Sequence, residues 1–556
     1  MKAGVDYTPE AFEPYEWQRD LSAARALGLS VIRCGASAWS ALSPEDGTWE
    51  IAWCERFLTI AEANGFEVVW QTPSAVPPPW AYDRWPELAG GRPRLPGRYC
   101  PSHADFLTFC SETAGKLQSS LGSSAAIAGW EISTGAADRN CGCPRCAQAF
   151  AEWLESQYGT LSALNKAWRT EAWGASLSRF GQLPPPGAEG WPPPFQLASR
   201  RYNASRIVSH VRSQAISLRA SRASKMAARA SGTVVESPYD IWALDELLTA
   251  STCLYSLDTA DSGLLDMASA LGPRPGGRSI WATVGEGTLD TTAWNLYIAR
   301  CGEAGVEYAF CANLRQLPAG PLASRAALLD HGGRPTGLAG HVADALAAAD
   351  ETEQSLPEYE VYYLHSFEPA WIERPTEAAS RWYATAREVC GSVRVGGFQA
   401  LSGLEETIVA PHLSLREPGV LDKLRETVTQ GATLITTLDF GRYDAAGCVA
   451  LEPPLNLLGS WGVPVPDIEI VPVPPSRKLA GRLNGLDVTG SGFVALPVQA
   501  ASRGQRYEEI GQIEDGDLSA ACVLRTRMGQ GQIYIALTNL DNTGLRALMN
   551  LACATL

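Results

Sequence analysis

Three cysteines stand close together in Cys141-Gly142-Cys143-Pro144-Arg145-Cys146, and a helical pattern follows at once. Thiols at this spacing, running into a helix, suit a metal. A tetrahedral zinc site needs a fourth ligand, and Cys100 in Arg98-Tyr99-Cys100-Pro101 is the candidate. Four thiolates would close the coordination shell and leave no position for a substrate, so such a zinc would be structural. It would tie the loop after a third strand to the loop after a fourth. The competing reading is unrelated thiols in a chain with 14 Cys, since a buried Cys usually acts as a small hydrophobe. Cys-Gly-Cys-Pro-x-Cys in a polar loop speaks against that reading, because cores do not favour such a run.

A second candidate is Glu286, which follows the apolar run Trp281-Ala282-Thr283-Val284-Gly285. Its competing reading is a solvated turn residue, because Gly285 and Gly287 flank it. The elements that must position these residues are short apolar strands alternating with amphipathic helices. Strand patterns fall at residues 4–7, 31–35, 66–71 and 125–130, and helical ones at 17–27 and 53–64. About eight such units before residue 350 predict a (β/α)8 TIM barrel over residues 1–350. In such barrels the chemistry sits just after each strand. From about residue 356 the texture changes. Strands at 359–364, 407–411 and 432–437, a helix at 420–429 and a hairpin at 525–535 predict an open α/β domain over 356–556.

Composition bounds the function. The chain has 556 residues, 46% of them hydrophobic and 19% charged, which is a globular balance with a large core. A net charge of -15 argues against nucleic acid or an anionic membrane as partner. The 18 Trp suit sugar binding or core packing. The N-terminus lacks the apolar run of a signal peptide, and no stretch is long enough to span a membrane. A cytoplasmic location is expected, where thiols stay reduced and zinc thiolates are favoured over disulfides.

The Gly129-Trp130 strand, the Cys-x-Cys-x-x-Cys loop and the earlier Tyr99-Cys100-Pro101 together resemble the β-galactosidases of glycoside hydrolase family 42. Further matching stretches are 72–80, Tyr158-Gly159-Thr160-Leu161, Trp168, Trp173 and 328–335. In that family the strand reads Gly-Trp-Gln-x-Asp-Asn-Glu, and the final Glu is the general acid/base. Here it reads Gly129-Trp130-Glu131-Ile132-Ser133-Thr134-Gly135. The resemblance therefore puts Gly135 at the acid/base position and Thr134 at that of the preceding Asn. It makes Glu286, eight residues before Trp294, the nucleophile. It makes Arg33 and Trp39 substrate-binding residues, although the family Glu between them is Ala36. After strand 8, Leu322 and Arg325 replace the Glu and His that grip galactose, and 257–260 lacks the family Tyr after strand 6. For the second domain the resemblance implies an amidotransferase-like fold with trimer contacts, here without a Cys-His-Glu set. The chain stops at Leu556, so the family's small C-terminal β domain is expected to be absent. The segments 184–186 and 192–194, three Pro each, are expected as stiff surface connections.

Retaining glycosidases use two carboxyl groups, and only one is expected here. Glu131 shares a strand face with Ser133 and Gly135 but lies roughly 13 Å below Gly135, where it should be neutral or paired. Asp138 has better access, against an ordinary Asp-Arg pair with Arg139. Arg315 and Arg325 near the rim suit either an anionic ligand or plain solvation. The expectation is a glycoside hydrolase-like protein with a carbohydrate or glycoside ligand and altered or much reduced activity. The alternative is a catalytically inactive carbohydrate-binding or scaffold protein.

Overall fold

The structure, a computed structural model, describes residues 1–95, 97–134, 141–219, 225–228, 243–244, 247–255, 265, 279–284, 291–320, 326–349, 361–364, 368, 377–390, 393–397, 401–411, 413–452, 455–474, 477–497, 507–515 and 518–553. The first part is a barrel of parallel strands with helices outside. In chain order these are β1 (Lys2–Asp6), β2 (Val31–Cys34), β3 (Glu67–Gln71), β4 (Ile127–Ile132), β5 (Lys225–Ala228), β6 (Ala250–Tyr255), β7 (Ser279–Val284) and β8 (Tyr308–Arg315). They lie in the order β5-β4-β3-β2-β1-β8-β7-β6. At the β5/β6 seam, the Thr249 amide donates to the Met226 carbonyl at 3.2 Å. A short β9 (Ala327–Leu329) adds to β8.

The barrel interior follows from strand alternation, which sends every second side chain inward. Its middle layer holds Val31, Val69, Ala227, Ala250, Trp281, Tyr308 and Phe310, all buried. Two glycines make room for the rings. A Cβ on Gly4 would come within 2.7 Å of Phe310, and one on Gly129 within 2.9 Å of Trp281. The layer below is polar and self-satisfied: Tyr308 donates to Glu67 at 2.8 Å, and Lys225 and Ser279 both bind Glu307. Those two contacts hold the Glu307 carboxyl below its usual range despite desolvation, which opposes them. The layer above is the candidate site.

Two expectations change at the helices. The run 192–194 is not merely a connection. Pro192 is the N-cap of helix Pro193–Leu218, and Pro193 and Pro194 form its first turn. Proline fits there because its missing N–H has no helical partner in any case. The fourth strand runs Ile127–Ile132, starting and ending two residues later than the expected stretch, because its pairing with β3 and β5 sets its limits.

The second part is built on a sheet in the order β11-β10-β12-β13-β20-β19-β18-β15-β16-β21. The expected parallel strands are β10 (Val361–Leu364), β12 (Thr407–Ala410) and β13 (Thr433–Thr437), and helix Pro418–Thr429 packs beside them. With β11 (Val393–Gly396) they form an α/β layer, as the sequence predicts. The expected hairpin joins β19 (Leu518–Met528) to β20 (Gly531–Ala536). The antiparallel remainder, β15 (Leu479–Leu483), β16 (Leu486–Ser491), β18 (Tyr507–Asp515) and β21 (Asn539–Leu540), was not read from the sequence. A two-stranded ribbon of β14 (Ile468–Pro472) and β17 (Phe493–Pro497) lies beside it. Among the described residues, no helix is long and apolar enough to cross a membrane.

Candidate functional site

The thiols converge. The sulfurs of Cys100, Cys141, Cys143 and Cys146 all lie within 4.8 Å of one another. Cys100 Sγ is 3.5 Å from those of Cys143 and Cys146. An ideal tetrahedral zinc thiolate has sulfurs about 3.8 Å apart, so the donor set fits such an ion. Local sequence explains the arrangement. Cys143 is the N-cap of helix Pro144–Tyr158, Pro144 opens it, and Cys146 falls in its first turn. The amide groups of a helix start favour thiolate over thiol. Gly90, with φ of 64°, closes the other side: a Cβ there would sit 2.6 Å from Cys141 Sγ. Hydrogen bonds from Cys100 and then Cys141 hold the Cys146 thiol down, to about 3, and the same sharing pushes Cys100 up.

A different constellation fills the barrel's upper layer. Arg33 on β2 is fully buried. Its Nε and Nη2 donate to the two oxygens of Asp6 at 2.6 and 2.9 Å. Its Nη1 donates to Glu131 Oε2 at 3.0 Å and to Thr283 Oγ1 at 2.7 Å. Gln71 donates to the other Glu131 oxygen at 2.6 Å. The guanidinium lies 4.0 Å from the centre of the Phe310 ring. Burial would discharge Arg33, but Asp6 and then Glu131 outweigh it and raise its pKa. Glu131 is therefore paired, one of the two states expected for it. Asp6 is 31% exposed, so this network shows one carboxylate toward the barrel mouth. In the loop after β1, Glu10 accepts from Ser37 at 2.8 Å, and burial raises its pKa.

Helix Pro193–Leu218 runs between the two constellations. Arg206, His210 and Gln214 stand four residues apart, on one face. Arg206 donates to Ser102 at 3.0 Å, and Ser102 accepts from the Cys146 thiol at 3.4 Å. Gln214 donates to the Ser133 carbonyl at 3.2 Å and accepts from Ser74 at 3.0 Å. His210 lies 3.0 Å from the Gln214 amide, and burial holds its imidazole down to about 4. The end of β4 is thereby tied to the helix that braces the thiols.

The sequence matches the family profile described as "Beta-galactosidase", glycoside hydrolase family 42, over residues 6–253. Over that stretch the chain is similar to the β-galactosidases of glycoside hydrolase family 42. A β-galactosidase of Thermus thermophilus is 37% identical over 190 residues, covering 32% of this chain and 30% of that protein. One from Halorubrum lacusprofundi is 30% identical over 225 residues, covering 38% of this chain and 32% of that protein. These matches span only about a third of the relatives' length. The crystal structure of a cold-adapted β-galactosidase from a Rahnella species superposes with a TM-score of 0.87 at 20% identity, covering 100% of this chain and 88% of that one. The likeness in fold therefore reaches well past the stretch of sequence similarity.

Within that family-42 frame, Arg33 is spent on internal partners. Trp39 is fully buried and stacks on Phe106 and Phe109 at 5.6 and 5.5 Å between ring centres. Thr134 is half-buried beyond the end of β4. Gly135, Asp138, Glu286 and Arg325 lie outside the described residues, as do 257–260 and Leu322. Arg315 requires a correction: it is neither solvated nor open to an anion. Its guanidinium binds Glu16 and Asp20, each at 2.9 Å, and the His331 carbonyl at 2.6 Å. The helix that starts after β1 carries both acids, and the barrel brings them against the end of β8. The sequence reading missed Asp6 and Thr283 as partners of Arg33, and Gln71 as a partner of Glu131. Strand alternation signals that they face inward, but not that they meet.

Proposed function

We propose that the chain is a family-42 glycosidase-like protein in which the nucleophile Glu286 is kept and the acid/base is replaced by Gly135. On this reading it acts on glycosides other than simple galactosides, or on galactosides at a much reduced rate. The observation that carries the proposal is the sequence at the end of β4, where Ser133-Thr134-Gly135 stands in place of the family's Asp-Asn-Glu on a barrel of the same fold. Without a general acid, rate falls by roughly 10²–10⁴, and least for leaving groups that are already acidic. The nucleophile would attack the anomeric carbon and hold the sugar as an ester until water releases it.

The test uses an activated aryl galactoside and a fluoro-sugar that traps the glycosyl-enzyme. Slow turnover, with label on Glu286 and none in Glu286→Gln, is expected. Gly135→Glu should then raise hydrolysis of unactivated galactosides by about 10²–10⁴. No label and no gain with Gly135→Glu would remove the enzymatic reading.

Cys100, Cys141, Cys143 and Cys146 would hold zinc, which supplies a cross-link between loops and no step of the reaction. Trimeric assembly belongs to the same proposal and is read from the solution mass. One observation favours the second reading, a carbohydrate-binding or scaffold protein without chemistry. The charges of the upper barrel layer satisfy one another, and Arg33 has none of its surface open to a ligand. On that reading Glu286→Gln leaves carbohydrate binding unchanged.

A further inference from the structure

Outside the barrel, one pair of side chains has a chemistry that neither the fold nor the candidate site uses. Cys390 ends helix Glu377–Cys390, and Cys553 ends helix Asn542–Cys553. Their sulfurs are 3.8 Å apart. They are also the two cysteines that stay half-buried, while every other cysteine described for burial is buried. Among the cysteines described for burial, the two that are not fully buried are thus the two whose sulfurs lie side by side. The helices that carry them are already held together. Arg546 pairs with Glu388 at 2.9 Å, and Val389 and Leu551 pack on the shared core.

We propose that Cys390 and Cys553 are a site of oxidative cross-linking by low-molecular-weight disulfides. The thiolate of one cysteine attacks a sulfur of the small disulfide, forms a mixed disulfide and releases one small thiol. The thiolate of the other attacks the protein sulfur of that mixed disulfide, forms the Cys390–Cys553 bond and releases the second small thiol. Two protein thiols lose two protons and two electrons, and the small disulfide gains them. Contact between the sulfurs favours the second step, because the resolving thiol is in place before the first step occurs. The bond would close a loop of 163 positions and pin the last described helix to the α/β layer. Closing so long a loop restricts the unfolded chain and so raises stability. The four-thiol cluster would not compete, because metal-bound thiolates are buried and shielded.

The experiment treats the zinc-loaded chain with oxidised glutathione, blocks remaining thiols by alkylation, and maps tryptic peptides by mass spectrometry. The expected product is peptide 388–394 joined to the peptide that begins at Ala547, absent after reduction. A rise of several degrees in Tm should accompany it, and should vanish in Cys390→Ser and in Cys553→Ser. Glutathione adducts accumulating separately on both cysteines would overturn the proposal. So would recovery of both as alkylated thiols while exposed control thiols of another protein are fully oxidised. The peptide map of the unaltered chain decides by itself, so a variant that folds poorly does not leave the question open.

Discussion

Two constellations crown the barrel, and they differ in what they lack. The four sulfurs converge within 4.8 Å of one another, the donor set of a tetrahedral metal site. The Arg33 layer gathers one cation and two carboxylates, and each is answered by a neighbour on the next strands. One site is chemically unfinished without a partner, and the other is complete. Buried ion pairs bring specificity of structure more than net stability, and breaking one by removing a single partner is costly. A closed network in the upper layer of a barrel is therefore what a scaffold needs. An open one is what a ligand needs.

The contrast can be broken from either side. The largest effect is expected at the thiols. Cys146→Ser, or a strong chelator, should release about one zinc per chain and destabilise the barrel by on the order of 5 kcal/mol, since structural zinc binding is worth roughly 10–16 kcal/mol. Elemental analysis with thermal melts reads both. No zinc in the unaltered chain would make the thiols as self-sufficient as the Arg33 layer. Next comes Arg33→Met, which strands Glu131 and should cost about 3–5 kcal/mol. Adding Glu131→Leu to it should recover part of that loss, because the only carboxylate then left without its cation is the partly exposed Asp6, and a denaturant series on both variants tests this.

Between the two sites, His210 gives a pH test. Its imidazole is held at about 4 when folded, against 6.5 when free. Between those values the unfolded chain binds the proton and the folded chain does not. Stability is therefore full above about pH 6.5 and falls by about 3 kcal/mol as pH drops to 4. His210→Asn should flatten that window in acid-unfolding curves. The smallest effect is Thr283→Val, which removes one hydrogen bond from Arg33 and should cost about 1 kcal/mol in the same denaturant assay. A larger loss would mean that the network is more strongly coupled than its pairwise contacts suggest.

The two sites were not equally legible. Cys141, Cys143 and Cys146 announce themselves because a loop and a helix start fix their distances locally. Cys100, the candidate fourth ligand in Arg98-Tyr99-Cys100-Pro101, lies 41 positions before Cys141, and the fold brings its sulfur to the other three. The Arg33 partners stand 27, 98 and 250 positions away, and no local spacing links them. Arg315 was misread for the same reason. Its acids, Glu16 and Asp20, lie nearly 300 positions earlier, on the first helix. In the antiparallel half of the second sheet, β15 and β16 escaped notice because they are short and partly exposed, with weak apolar alternation.

What the chain's residues determined by themselves was everything that depends on near neighbours: the period of strands and helices, the thiol spacing, the absence of a carboxyl at position 135. What only the folded barrel decided was which charges meet. Strands far apart in sequence become adjacent when the sheet closes, and burial then obliges each inward charge to find a counterpart or stay neutral. That obligation, rather than any motif, turned Arg33 from a presumed ligand contact into the centre of a closed ion network.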